Sequence, residues 1–365
     1  MEADERGNHL PGILALAVGI FRFLCQNKAK IGKTHGLHMT EHSIYLPSPV
    51  HRLAELGLAE PLLAALDKYP SAPMEFEDGD NFATPLMLAA TNGRAECLKI
   101  LLPLSDPFAV DHDHFSALML AAAGSHPDCV EILLPASNPA HQSTHGRDAL
   151  MIAAARAANG SLECCKLLLP GNNPLAASID GRTALMMAAE HGNFQVVSLL
   201  APLSNVRHAS RTGMTALMEA ACANSLESVE TLAPLSDCFA IDAYGFDAIA
   251  HAAQSHRSLF IPAIISAAAK MPSLAPRLDF CLRRSLRLCC NLGANPSCSA
   301  ILNSALDVLP RHQAIALFRL ASECSQDAQF KARSAAVALA LQEQLDLDGA
   351  ATGASASSAR KSMRI

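Results

Sequence analysis

A seven-residue string returns along this chain at a nearly constant interval. Thr84-Pro85-Leu86-Met87-Leu88-Ala89-Ala90 is followed by Ser116-Ala117-Leu118-Met119-Leu120-Ala121-Ala122 and by Asp148-Ala149-Leu150-Met151-Ile152-Ala153-Ala154. Further copies stand at Thr183-Ala184-Leu185-Met186-Met187-Ala188-Ala189 and Thr215-Ala216-Leu217-Met218-Glu219-Ala220-Ala221, and a worn one at Asp247-Ala248-Ile249-Ala250-His251-Ala252-Ala253. The Leu or Ile at 86, 118, 150, 185, 217 and 249 are separated by 32, 32, 35, 32 and 32 residues. A second string keeps the same phase: Pro103, Pro135, Pro170, Pro202 and Pro234 each follow a Leu-Leu or Leu-Ala pair. Two unrelated strings on one period confine the chain to a solenoid of stacked units.

One unit, residues 180–212, shows how the local chemistry works. Gly181 sits in a turn and Thr183 is placed to cap a helix over Ala184 to Glu190. His191-Gly192-Asn193 breaks that helix, with Gly able to take the left-handed conformation. Phe194 to Leu200 forms a second helix, and Pro202 cannot continue its hydrogen-bond ladder. Residues 203–212 have no helical period and reach outward to the next unit. Neither helix can bury its apolar face alone, so the units must stack, with Leu118 and its equivalents in the core. Stacking of this kind makes an extended concave surface. The fold class is therefore all-α.

Composition agrees with closely packed helices: half of the 365 residues are apolar, and Trp is absent. The net charge of −6 gives no electrostatic case for nucleic acid. Cys97, Cys129 and Cys164 share one repeat position, where the next two units place Val196 and Ser228. A position that takes Cys, Val or Ser is a small packed site, not half of a disulfide, and a reducing cytoplasm is the simplest setting for the twelve cysteines.

The units resemble ankyrin repeats, whose pattern includes a Gly-x-Thr-Pro-Leu-His-x-Ala-Ala string followed by a Val-x-x-Leu-Leu string. Residues 78–253 carry the resemblance, and residues 48–66 form a degenerate first unit. It implies a non-enzymatic module that binds a protein partner through its finger loops and first-helix face. There are departures. The family's His is Met at Met87, Met119, Met151, Met186 and Met218, so its hydrogen bonding must be replaced or absent. The loop Gly stands at Gly146, Gly181, Gly213 and Gly245, but Phe82 and His114 replace it in two units, which predicts a different loop shape there. The third clear unit carries three extra residues within 155–160, near its helix–helix turn.

Outside the solenoid, assigned to 48–256, residues 1–47 hold an apolar run and a loop. The run at 10–24 reads as a buried capping helix, or as a start set too far upstream. A membrane anchor is the alternative, with Lys28, Lys30 and Lys33 holding the solenoid on the cytoplasmic side. An exported adaptor is another. His38-Met39-Thr40-Glu41-His42 fits the H-x-x-E-H pattern of inverted zinc peptidases. Gly36 and Pro47 flank it, so a solvated loop is the expectation and a zinc peptidase the remote alternative. Residues 257–348 lose the period but read as five helices capping the stack, with Arg277, Arg283, Arg284 and Arg287 among them. Residues 349–365, rich in Ala, Ser and Gly, read as a disordered tail.

No phosphate loop, dinucleotide fingerprint or nucleophile elbow occurs. The expectation is a monomeric scaffold with no cofactor and no metal, binding a protein. The candidate contact residues, chosen for finger position, polarity and change between units, are His112, His114, His141, His145, Arg207, His208, Arg211 and Tyr244.

Overall fold

A computed structural model describes residues 49–71, 83–157 and 159–350, with side chains as far as 345. The chain divides into two compact units, Met1–Leu46 and Pro47–Ile365. The apolar run at 10–24 and the H-x-x-E-H string lie in the first, outside the described residues.

The second unit is a stack of helical hairpins, and the described residues hold nine of them. The degenerate first repeat forms α1 (Pro49–Leu56) and α2 (Ala59–Lys68). The next five are α3 (Pro85–Thr91) with α4 (Ala95–Leu101), α5 (Ala117–Ala123) with α6 (Pro127–Leu133), α7 (Ala149–Ala154) with α8 (Ser161–Leu168), α9 (Ala184–Glu190) with α10 (Phe194–Leu200), and α11 (Ala216–Cys222) with α12 (Leu226–Leu232). The worn repeat gives α13 (Ala248–Gln254) with α14 (Ile261–Lys270). First helices pack on first helices and second on second, giving an inner and an outer row.

Each inner helix begins at a capping residue. Thr84, Ser116, Asp148, Thr183, Thr215 and Asp247 have extended backbones, and each side-chain oxygen accepts from the N–H three residues on. The carboxylate caps bind at 2.8 Å (Asp148) and 2.9 Å (Asp247), against 3.3–3.4 Å for the hydroxyls. The charged acceptors make the shorter bonds. The methionines that replace the family's histidine are buried directly after these caps, and Met87 Sδ accepts from the Thr84 N–H at 3.4 Å. The capping oxygen thus closes each of these helix starts, and at α3 the third side chain joins it.

The alanine pairs at 89/90, 121/122, 153/154, 188/189, 220/221 and 252/253 are buried, as is Leu118, so small side chains recur along the packed inner row. Cys97, Cys129, Cys164, Val196 and Ser228 are all buried at one packed position, and Ser225 satisfies the Ser228 hydroxyl at 2.9 Å. Each Leu-Leu-Pro string turns the end of an outer helix into one tight 3-10 turn, such as Leu102–Leu104. The three extra residues of the third unit fall after the shortest inner helix, and the Arg156 carbonyl there accepts from Asn193 Nδ2 at 2.7 Å.

Beyond the repeats the helices lengthen to α15 (Leu278–Asn291), α16 (Asn295–Val308), α17 (Arg311–Cys324) and α18 (Ala328–Ala350). They continue the stack: α15 packs on α13 and α17 on α15 in the inner row, and α16 packs on α14 in the outer. The boundary drawn at residue 256 falls inside the sixth periodic hairpin, because α14 is its second helix. The expected tail from Gly349 meets α18, which runs to Ala350; residues 351–365 lie outside the described residues. Among the described residues no single helix is long and apolar enough to cross a membrane.

Candidate functional site

Between hairpins the chain runs out into a finger and back. Each finger turns on Asp111, Ser143, Ser178, Ser210 or Asp242. The side-chain oxygen accepts from the N–H four residues on, at Phe115, Arg147, Arg182, Met214 and Phe246. The same residue's backbone N–H donates to the carbonyl of that fourth residue. Asp and Ser are used because their short acceptors can turn back on their own chain. The residue before the return must take a left-handed backbone, which suits glycine: Gly146, Gly181, Gly213 and Gly245 have φ of 70–83°. His114 holds the corresponding place with φ 61°, so its finger keeps the common shape at a cost in strain, contrary to the expectation of a different loop. Phe82, the other departure, lies outside the described residues.

Neighbouring fingertips are joined by one main-chain bond each. Thr144 N–H donates to the Asp113 carbonyl, Ile179 to His145, Arg211 to Asp180 and Ala243 to Thr212, all at 2.9–3.0 Å. On this fixed ladder the tip side chains change from unit to unit: His112 and Asp113, Thr144 and His145, Ile179 and Asp180, Arg211 and Thr212, Ala243 and Tyr244, all exposed.

The candidate residues divide into two groups. His112, His145, Arg211 and Tyr244 are exposed fingertips and Arg207 is exposed at the start of its finger, with Tyr244 77% open. His112 Nε2 lies 3.6 Å from Asp113 Oδ2, and His145 Nδ1 lies 3.1 Å from Thr144 Oγ1. By contrast His141 and His208 bind the frame. Nε2 of His141 donates to the His114 carbonyl at 2.9 Å and Nε2 of His208 to the Gly181 carbonyl at 2.8 Å, in each case the turn of the preceding finger. His114 is exposed, but its backbone belongs to that turn. Among the described residues no group of three or more His, Cys, Asp or Glu is arranged to hold a metal ion.

One repeat position of the inner helices changes character along the stack: Leu88, Leu120, Ile152, Met187, Glu219 and His251. The row is apolar for four units and then ionisable. Arg182 reaches across it, its Nη2 donating to Glu190 at 2.6 Å and to Glu219 at 3.0 Å. Burial raises the Glu219 carboxyl above its ordinary range, with Arg182 working against the rise. One hairpin on, His251 Nε2 donates to Asp242 Oδ2 at 2.9 Å, and His251 Nδ1 lies 3.7 Å from Cys222 Sγ. Sequence reading passed over this ionisable end. Its one visible signal was the change from aliphatic residues to Glu and His at a repeated position.

At the far edge, Asp247 is fully buried and joins the repeats to the helices beyond. While one oxygen caps α13, Oδ2 accepts from Ser285 Oγ at 2.7 Å and from Arg284 Nη2 at 3.0 Å. Arg284 of the expected arginine cluster is thus a structural partner, and Arg283 pairs with Asp279 at 3.0 Å.

Comparison with known proteins agrees with this architecture. A family profile described as "Ankyrin repeats (3 copies)" matches residues 50–144, 86–176 and 150–242, together more than half of the chain. Among solved structures, the human ASB11 ankyrin repeat domain is similar in fold, with a TM-score of 0.51 and 23% identity over 55% of this chain and 90% of that one. No curated protein matches. The repeated caps, fingers and stacked hairpins, with the family match over 50–242, place this chain in the ankyrin-repeat family, as a protein–protein interaction domain.

Proposed function

We propose that the protein is a non-enzymatic scaffold that holds a partner protein against its finger row and the inner-helix face beside it. One observation carries this reading: the fingers share a single main-chain frame, yet the exposed residues on their tips differ in every unit. A surface kept constant for folding has no reason to vary at its tips, whereas a surface read by a partner does. The contact set is His112, His145, Arg207, Arg211 and Tyr244, with Tyr and Arg the side chains that most often anchor interfaces. His114, His141 and His208 support the fingers from below. A reducing compartment is part of the reading, supported by the unpaired thiols of all eleven described cysteines.

Affinity capture from the native cell with mass spectrometry tests it. The control carries H112A, H145A, R207E, R211E and Y244A together and leaves the three supporting histidines intact. A protein held by the natural chain and lost from the variant supports the reading. Capture undiminished by the variant overturns the choice of face.

A further inference from the structure

Cys222 is the last residue of α11, and it is partly exposed. Its sulfur faces the ring of His251 on the next inner helix, at 3.7 Å from Nδ1. The other ring nitrogen is committed, since Asp242 Oδ2 accepts from Nε2–H at 2.9 Å and a carboxylate can only accept. In the neutral ring Nδ1 is then the free base, and the thiol is its donor. Asp242 is itself held by the N–H groups of Tyr244 and Phe246 on its other oxygen, so the acceptor of the ring is fixed by the finger turn. The Phe246 ring stands edge-on to His251 at 5.8 Å and packs against its flank.

The thiol, imidazole and carboxylate therefore form a directed chain of the kind that activates a nucleophile. We propose that Cys222 is a covalent modification site for soft electrophiles of the α,β-unsaturated carbonyl class, with His251 as its base and Asp242 as the residue that orients the base. In the reaction Sγ bonds to the β-carbon of the electrophile while its proton passes to Nδ1. The ring then returns that proton to the α-carbon. The product is a thioether; nothing is oxidised or reduced and no group leaves.

Several features single out this thiol. Burial pushes Cys129 and Cys164 up to about 11 and Cys165 and Cys238 up to about 12, which holds them as unreactive thiols. Cys290 and Cys298 are buried against each other, their sulfurs 3.7 Å apart. Cys324 on α17 is partly exposed like Cys222 but has no imidazole partner among the described residues, which makes it the internal comparator. At His251, burial opposes the charged ring, but its bonds to Cys222 and Asp242 outweigh that and hold it above the usual imidazole range. The groups facing it are Cys222 and Glu219 from α11 and Asp242 from the finger; Glu219 is neutralised by Arg182. From α15, Arg284 and Ser285 are turned to Asp247 instead.

The test uses the full chain and a limiting amount of N-ethylmaleimide, with labelling rates at Cys222 and Cys324 read by peptide mass spectrometry. Cys222 should react about 100-fold or more faster than Cys324, the low side of what a positioned base contributes. His251→Gln should bring the Cys222 rate down to that of Cys324 and leave Cys324 unchanged. Equal rates in the natural chain, or a Cys222 rate untouched by His251→Gln, overturn the proposal. Should that variant lose its helical circular dichroism, the natural chain still decides: the Cys222-to-Cys324 rate ratio must vary as the pH rises through and above the usual imidazole range of about 5–8, and a constant ratio overturns it. No partner protein enters the assay, so its failure would leave the scaffold reading standing.

Discussion

Asp247 is the side chain whose loss should be felt most widely, and its cost can be built from its bonds. Replacing it by alanine removes a helix cap, worth about 1 kcal/mol. It also removes the charged acceptor of Ser285 and Arg284. Hydrogen bonds to charged groups are worth about 1.5–3 kcal/mol each. Two discounts apply. The Ser285 hydroxyl keeps a second acceptor in the Cys281 carbonyl at 3.1 Å, and the Arg284 side chain, 34% exposed, can turn partly to water. The expected total is therefore about 3–4 kcal/mol, below the upper end for breaking a buried pair. Thr183→Ala is the matched control: it removes a cap at the same repeat position with no third helix attached, and should cost about 1 kcal/mol. Urea unfolding followed by circular dichroism measures both, reading the midpoint where the slope is unchanged. A lowered slope for Asp247→Ala alone would show α15–α18 melting apart from the repeats. A cost no larger than that of Thr183→Ala would refute the view that Asp247 joins the two parts.

Two further substitutions test the frame. His114→Gly should stabilise the protein by about 0.5–1 kcal/mol, because relief of a left-handed residue costing about 1–2 kcal/mol outweighs the chain entropy that glycine adds to the unfolded state. Gly146→His at the equivalent turn should destabilise it, since a Cβ there would stand 2.9 Å from the Ile179 backbone nitrogen; opposite signs in thermal melts are the check, and a loss for His114→Gly would refute the strain. Asp148→Ser keeps a cap acceptor without the charge. Burial raises the Asp148 carboxyl above its ordinary 3.8, and the backbone bonds to Met151 and Leu150 only partly oppose this. The folded state therefore binds the proton more tightly than the unfolded one, and stability falls as pH rises from the unfolded value through the folded one. Asp148→Ser should raise the melting midpoint near about pH 7, with the gain closing as the pH falls into the carboxylate range; a gain that persists in acid would point away from the charge.

The parts of this fold legible in the sequence are those set by short-range chemistry repeated in phase. The helices at Ala184–Glu190 and Phe194–Leu200 coincide residue for residue with those expected from Thr183, Gly192 and Pro202. Each end there is decided by a neighbour within four residues. The fingers were legible in place but not in role. His141 and His208 look as free as His145, because the carbonyls they bind lie 27 residues back, on the previous turn. The grouping of Cys222 with His251 spans 29 residues, and that of His251 with Asp242 spans nine, neither of them the 32-residue period. Such a grouping depends on the lateral register of adjacent helices, which the repeat implies only loosely. Past residue 256 the helices could be found from their leucines, but nothing periodic remains to say that they extend both rows of the stack.

The single bond between neighbouring fingertips has a mechanical consequence. Along the helical side, adjacent units are held by many buried side-chain contacts, so that edge is stiff. Along the tips each junction is one main-chain N–H···O contact, with a net worth of about 0.5–1.5 kcal/mol, reinforced at two of them by the His141 and His208 bonds. Bending is therefore cheapest about the helical edge, and the row of fingers opens and closes like the ribs of a fan. A rounder or flatter object between the ribs would be met by small changes spread over the junctions, least at the two that His141 and His208 reinforce, rather than by a hinge at one.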